Sequence, residues 1–242
     1  INIIRDFSAG SNATTMLCMK NDKMFYRKYA FEDREKLYDQ VLWIEENSKR
    51  GLPLPQIIEQ EKTNEYCYYD MPYNSDAVVL FEYAHSMPYE KGWDIMKRAL
   101  ESLNRFVYTN NVRKSDKETI YKYINSKVVA NIEKILEAPA IKKLTKYDEI
   151  VINGREYKNL SYYLKYLSKD YLYEIFKNDT YSDLHGDLTI ENIVCTKGNN
   201  GEDDFYIIDP NTGNVHDSSN LDYGKLLQSI HGGYEFMMKT YD

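Results

Sequence analysis

The sequence predicts an α+β protein, and three observations carry that prediction. Short aromatic and β-branched runs fill residues 1–73, the pattern of strands. One helical pattern interrupts them. The remainder is dominated by apolar residues at helical spacing. Residues 2–5 and 14–19 read as strands joined by Ser8-Ala9-Gly10-Ser11-Asn12-Ala13, and Lys20-Asn21-Asp22-Lys23 makes a turn into a third strand at 24–30. A helix from Asp33 to Lys49 follows, with Leu37, Val41, Leu42 and Ile44 in 3.6-residue phase; Gly51-Leu52-Pro53 ends it. Strands at 56–60 and 66–71 complete a β-β-β-α-β-β pattern, a small antiparallel sheet with one helix.

Beyond that point helices are expected at 88–109 (Met96, Leu100, Leu103 and Phe106 in phase), 117–136, 158–177 and 221–238. Asn153-Gly154 within Glu149 to Glu156 signals a hairpin. A boundary near residues 72–76 divides the chain into 1–73 and 74–242. There are no internal repeats.

The 242 residues are 43% hydrophobic and 29% charged, the composition of an ordinary soluble protein. No apolar run of about 18 residues occurs, so no membrane span is expected. No leader pattern is present either. A net charge of −7 counts against nucleic acid as a partner, since that affinity comes from neutralising phosphates with Lys and Arg. It suits a neutral or cationic small molecule. Cys18, Cys67 and Cys195 are scattered without metal-ligand spacing, which argues against disulfides and zinc and makes a reducing cytoplasm the default. The chain begins at Ile1 rather than Met, which permits it to be a module of a longer polypeptide.

The most informative stretch is Ser182-Asp183-Leu184-His185-Gly186-Asp187-Leu188-Thr189-Ile190-Glu191-Asn192. Two apolar strands follow, and the second ends in Asp209-Pro210, 17 residues after Asn192. A hairpin between these strands would bring Asn192 and Asp209 together. One carboxylate to orient a hydroxyl, with an amide and a second carboxylate to hold a metal, is the set that phosphoryl transfer from Mg-ATP requires. A His-Gly-Asp triplet alone more often marks a helix-capping aspartate. The joint pattern of His185, Asp187, Asn192 and Asp209 is far more specific.

This run resembles the aminoglycoside phosphotransferase and choline kinase family, whose fold is protein-kinase-like and two-lobed. Gly186 in place of the protein-kinase Arg, and Pro210-Asn211 after Asp209, favour the small-molecule branch. The resemblance implies Asp187 as catalytic base, Asn192 and Asp209 as magnesium ligands, and His185 as a structural residue of the loop. It further implies an N-terminal ATP-binding lobe over 1–73 and a catalytic and acceptor-binding lobe over 74–242. Ser8, Gly10 and Ser11 would cover the phosphates.

Lys28 is the candidate phosphate-anchoring lysine, with Arg27, on the opposite strand face, as the alternative. The helix residue that would steady this lysine falls at Gln40, which brings no charge. Glu35 is an acidic alternative turned away from that face. Asp70-Met71-Pro72-Tyr73 would be the hinge whose backbone groups face the adenine, with Met71 suited to a purine wall, and Asp222 would support the loop or cap the last helix. Glu82, Tyr83, Trp93 and Tyr162 are acceptor candidates by type alone.

The expected activity is transfer of the ATP γ-phosphate, with Mg2+, to a hydroxyl of a sugar, amino alcohol or aminoglycoside-like acceptor. The alternatives are a non-catalytic pseudokinase module and a protein kinase. The segment from Asn211 to Asn220 is short for a protein kinase's activation segment.

Overall fold

The computed structural model describes residues 1–7 and 13–238. Ser8, Gly10 and Ser11, the expected phosphate-covering turn, lie outside the described residues. The chain forms two compact units, one of Ile1–Asn110, Ser182–Asn214 and Ser219–Asp242, the other of Asn111–Tyr181 and Val215–Ser218.

The first unit begins with β1 (Asn2–Asp6), β2 (Thr14–Lys20), β3 (Lys23–Ala30), α1 (Arg34–Arg50), β4 (Glu59–Lys62) and β5 (Cys67–Pro72). The five strands form one antiparallel sheet in the order β1-β2-β3-β5-β4, as the β-β-β-α-β-β pattern predicts. Helix α1 ends at Gly51, whose φ of 102° is left-handed; the amides of Gly51 and Leu52 close back onto Ser48 and Asn47. Only glycine takes that turn without steric cost. Leu37, Val41 and Ile44 of α1 pack on Ala30, Cys67 and Tyr69 of the sheet. Leu42, expected on that face, is exposed, because the next position after Val41 lies about 100° round the helix.

The unit continues through β6 (Val78–Val79), α2 (Leu80–Ser86) and α3 (Tyr89–Phe106). The expected helix at 88–109 is α3, which buries Ile95, Met96, Ala99 and Leu103.

The second unit contains β7 (Arg113–Lys114), α4 (Lys117–Tyr123), a π-helical segment Ile124–Val129, α5 (Ala130–Glu137) and α6 (Pro139–Leu144). The hairpin β8 (Glu149–Ile152) and β9 (Arg155–Lys158) turns at Asn153 and Gly154, both at positive φ, as an Asn-Gly turn demands. The expected helix at 158–177 is instead α7 (Leu160–Tyr163), a tight turn at Leu164–Leu167, and α8 (Lys169–Phe176). Ser168 makes the break, since its hydroxyl accepts the Tyr171 amide and caps α8. Strand β10 (Thr180–Tyr181) pairs with β7, and Ile120, Ile124 and Leu172 form a small core.

The chain returns to the first unit with β11 (Ile193–Lys197), β12 (Asp203–Ile207), α9 (Ser219–Ile230) and α10 (Tyr234–Met238). Strands β12, β11 and β6 form a second antiparallel sheet. The single helix expected at 221–238 is two, parted at residues 231–233, where two glycines interrupt it. The largest core joins Ile95, Ala99, Leu103 and Val107 to Leu188, Ile190, Ile193 and Ile207, so the loop bearing Asp187 is anchored by its own apolar residues.

Among the described residues no helix is long and apolar enough to cross a membrane. Leu103 is fully buried; Leu103→Ala should therefore cost about 3 kcal/mol in chemical denaturation, the usual scale for a core Leu-to-Ala cavity.

Candidate active site

The loop Leu184 to Asn192 is held from four sides within the first unit. Asp222, in the first turn of α9, is fully buried and takes the His185 amide at 2.8 Å, the Gly186 amide at 2.7 Å and the Tyr108 hydroxyl at 3.0 Å. Burial pushes its carboxyl upward, against the opposing pull of His185 and of these donors. Burial beside that carboxyl also drives the Tyr108 phenol well above its ordinary range, which keeps it a donor.

His185 is likewise fully buried. Its Nε2 lies 2.8 Å from the Ile208 carbonyl and its Nδ1 3.3 Å from the Asp187 amide. A carbonyl only accepts, so the network assigns the proton to Nε2. From α1, the Trp43 indole donates to the Leu184 carbonyl at 3.1 Å, and Arg50 pairs with Asp183 at 2.8 Å.

Two residues hold uncommon backbone conformations. Gly186 has φ of 84°, and a Cβ there would lie 2.3 Å from the Asn211 carbonyl oxygen and 2.4 Å from Asn214 Nδ2. That space is closed by the turn after Asp209, whose Asn211 amide donates to the His185 carbonyl at 2.7 Å. Gly186 is therefore required by both dihedral and packing. Asp209 has φ of 56°, a sparsely populated region for a non-glycine residue and one that concentrates at functional sites.

The hairpin pairs Ile193 with Ile207, and the Ile208 amide donates to the Asn192 carbonyl at 2.9 Å. Asn192 and Asp209 thus meet at one end of the hairpin, as the spacing predicted. Asn192 spends its Nδ2 on the Asp187 carbonyl at 2.8 Å, which ties the amide to the loop and leaves Oδ1 as an oxygen donor. Among the described residues no cluster of three or more His, Cys, Asp or Glu side chains gathers. The oxygen pair Asn192 and Asp209 nonetheless fits Mg2+, which takes few protein ligands and completes its shell with water and phosphate oxygens.

Lys28 on β3 is buried, and its Nζ lies 2.7 Å from Asp209 Oδ1. Arg27 faces the other side of the sheet and grips Asp70 through Nε and Nη2 at 2.7 and 2.8 Å. The two neighbours therefore have separate tasks, one at the site and one inside the sheet.

Gln40 does not pair with Lys28. Its Nε2 donates to the Pro210 carbonyl at 2.5 Å, and its buried Oε1 finds no partner among the described residues. Its observed role is to tether α1 to the turn after Asp209. Glu35 binds Lys62 at the surface, turned away as its spacing indicated.

Lys225 on α9 was not singled out from the sequence. Its Nζ lies 2.9 Å from Asp187 Oδ1, with both side chains 39% exposed. The spacing Asp222–Lys225 on one helix is a signal that could have found it, because positions three apart share a face.

Met71 shares the Lys28 face of the sheet, pairs with Tyr26 across β3–β5 and packs against the sheet's core. Tyr73 is half-buried with its ring 5.7 Å from that of Tyr26. Tyr83 is buried and Trp93 exposed in the first unit; Tyr162 is exposed in the second. The three cysteines are buried and free, and burial raises each thiol, Cys195 to about 12, so none is poised as a nucleophile.

No family model and no curated protein matches the chain. Among solved structures it is similar to one described as "WaaP in complex with acyl carrier protein", at 7% identity over 93% of this chain and 70% of that chain, with a TM-score of 0.47.

The geometry separates two neighbouring cations. Arg27→Ala strands the buried Asp70 and should lower stability by about 3 kcal/mol. Lys28→Ala leaves a carboxylate, Asp209, that solvent reaches and should cost less than Arg27→Ala does. Urea denaturation of the two variants checks the contrast. Asp222→Ala orphans three donors at once, two of them buried amides, and should cost about 3 kcal/mol or more.

Proposed function

We propose that the chain is a kinase-like phosphotransferase that moves the γ-phosphate of ATP to a hydroxyl of a small molecule, such as a sugar, an amino alcohol or an aminoglycoside-like acceptor. The observation that carries this reading is the convergence of Lys28 and Asn192 on Asp209, with Asn192 hydrogen-bonded to Asp187 within the same loop. In this reading residues 1–73 supply the nucleotide-binding part, with Ser8, Gly10 and Ser11 over the phosphates, and residues 74–242 supply the catalytic and acceptor-binding part.

Each group has a defined task. Asp187 receives the proton of the acceptor hydroxyl and aims its oxygen at the γ-phosphorus. Lys28 offers its ammonium to the α- and β-phosphate oxygens, and its pairing with Asp209 holds it at the metal-binding carboxylate. Asn192 and Asp209 would hold Mg2+, which when bound neutralises phosphate charge. Met71, Tyr73 and Tyr26 offer thioether and aromatic surface to a purine on the Lys28 side of the sheet. Gln40 acts through the Pro210 carbonyl, fixing the turn from which Asp209 projects. Catalysis in such a site is positioning and charge neutralisation rather than covalent chemistry.

The test is ATP turnover against a panel of sugars, amino alcohols and aminoglycosides. Asp187→Ala should lower kcat by about 10^3 with the acceptor that works, the scale of a lost general base. Thermal stabilisation by ATP should depend on magnesium, and Asp209→Ala should lose the magnesium-dependent part. Binding of Mg-ATP without acceptor-stimulated turnover, together with no effect of Asp187→Ala, would refute the assignment.

A further inference from the structure

We propose that Lys225 is a second catalytic cation of this site, contacting the phosphoryl group during its transfer; the inference rests on the phosphotransferase reading above. Three observations lead to it. The loop from His185 to Asn192 carries no Lys or Arg, so it holds no cation of its own beside Asp187. Lys28, the cation at Asp209, belongs to β3 and reaches the metal-binding end of the site. Lys225 Nζ stands 2.9 Å from Asp187 Oδ1, at the carboxylate that receives the acceptor's proton.

Its position is determined by the fold. Asp222 pins the first turn of α9 to the His185 and Gly186 amides. A residue three further on lies on the same helix face, one turn along. Lys225 is therefore carried to the mouth of the loop by the contact that shapes the loop. The ion pair is also easily exchanged. Both partners are 39% exposed, and pairs of that kind contribute about 0–1 kcal/mol to stability. An ammonium has three donors, so Lys225 can keep Asp187 Oδ1 and offer a second N–H to a phosphoryl oxygen.

The chemistry is balanced. The acceptor oxygen bonds to the γ-phosphorus while the bond from that phosphorus to the bridging oxygen breaks, its electron pair leaving with ADP. The hydroxyl proton passes to Asp187. Negative charge on the equatorial phosphoryl oxygens then lies between two carboxylates, Asp187 and Asp209, and needs a cation on the Asp187 side. Lys225 meets that need without entering the bond changes.

The test compares Lys225→Ala, Lys225→Met and Lys225→Arg with the wild type, using Mg-ATP with water or a productive acceptor from the panel. Loss of one preorganised charge-stabilising donor predicts a fall of about 100-fold in kcat for Ala and Met. KM for ATP should stay within about twofold, since ground-state binding is not its task. Lys225→Arg should recover most of the loss.

A second readout uses no turnover. Mg-ADP with aluminium fluoride imitates the planar phosphoryl group, and its extra thermal stabilisation over Mg-ADP alone should vanish in Lys225→Ala while the Mg-ADP increment remains. Retention of kcat within about threefold in the Ala and Met variants, or an intact aluminium fluoride increment, overturns the role of Lys225 and leaves the phosphotransferase reading standing. A wild type that binds Mg-ADP, turns over no acceptor and gains nothing from aluminium fluoride overturns both.

Discussion

A buried carboxylate organises the site. Asp222 is stabilised in its core position by three N–H and O–H donors, two from consecutive amides of the loop and one from Tyr108. Desolvating a carboxylate is costly unless each oxygen finds donors, so the folded state is favourable only when His185 and Gly186 present their amides inward. That requirement turns the chain sharply at Gly186 and sends Asp187 outward. The cost of burying Asp222 is thus converted into a defined direction for the residue that follows.

Helix α1 acts on the same loop from the other side. Trp43 and Arg50 bind Leu184 and Asp183, and Gln40 binds the Pro210 carbonyl. One helix therefore touches both the segment before Asp187 and the segment after Asp209. The uncommon backbone at Asp209 is maintained by contacts on each flank, the His185 bond to Ile208 before it and the Asn211 bond to His185 after it. Lys28 on Asp209 and Lys225 on Asp187 are single ion pairs with partly exposed carboxylates, suited to rearrangement when phosphates arrive.

Much of this was legible beforehand because it depends on local pattern. The antiparallel sheet with its one helix follows from alternation and from Gly51, and the Asn153-Gly154 hairpin from the dihedrals its turn requires. The meeting of Asn192 with Asp209 follows from two apolar strands joined by a polar connection. Helix ends were harder to place. Ser168 and the Gly232-Gly233 pair broke expected helices because a cap and a glycine pair outweigh apolar periodicity. The part expected for Gln40 also changed. It was expected to steady Lys28 by a hydrogen bond, but its partner is the Pro210 carbonyl, because a neutral amide needs no counter-charge and serves a carbonyl equally well.

Sequence alone therefore established the chemical types, a carboxylate, an amide and a second carboxylate at fixed spacing, with an α+β frame to carry them. These are properties of short segments, set by residue identity and local periodicity. Folding assigned the charges. Arg27 and Lys28 are adjacent in the chain, yet one locks Asp70 inside the sheet and the other reaches Asp209, 181 positions away. Lys225 joined the site only because a buried Asp222 drew its helix against the loop. Long-range pairing of this kind depends on which faces pack together, and a local spacing such as Asp222–Lys225 marks only a shared helix face, not the loop it meets.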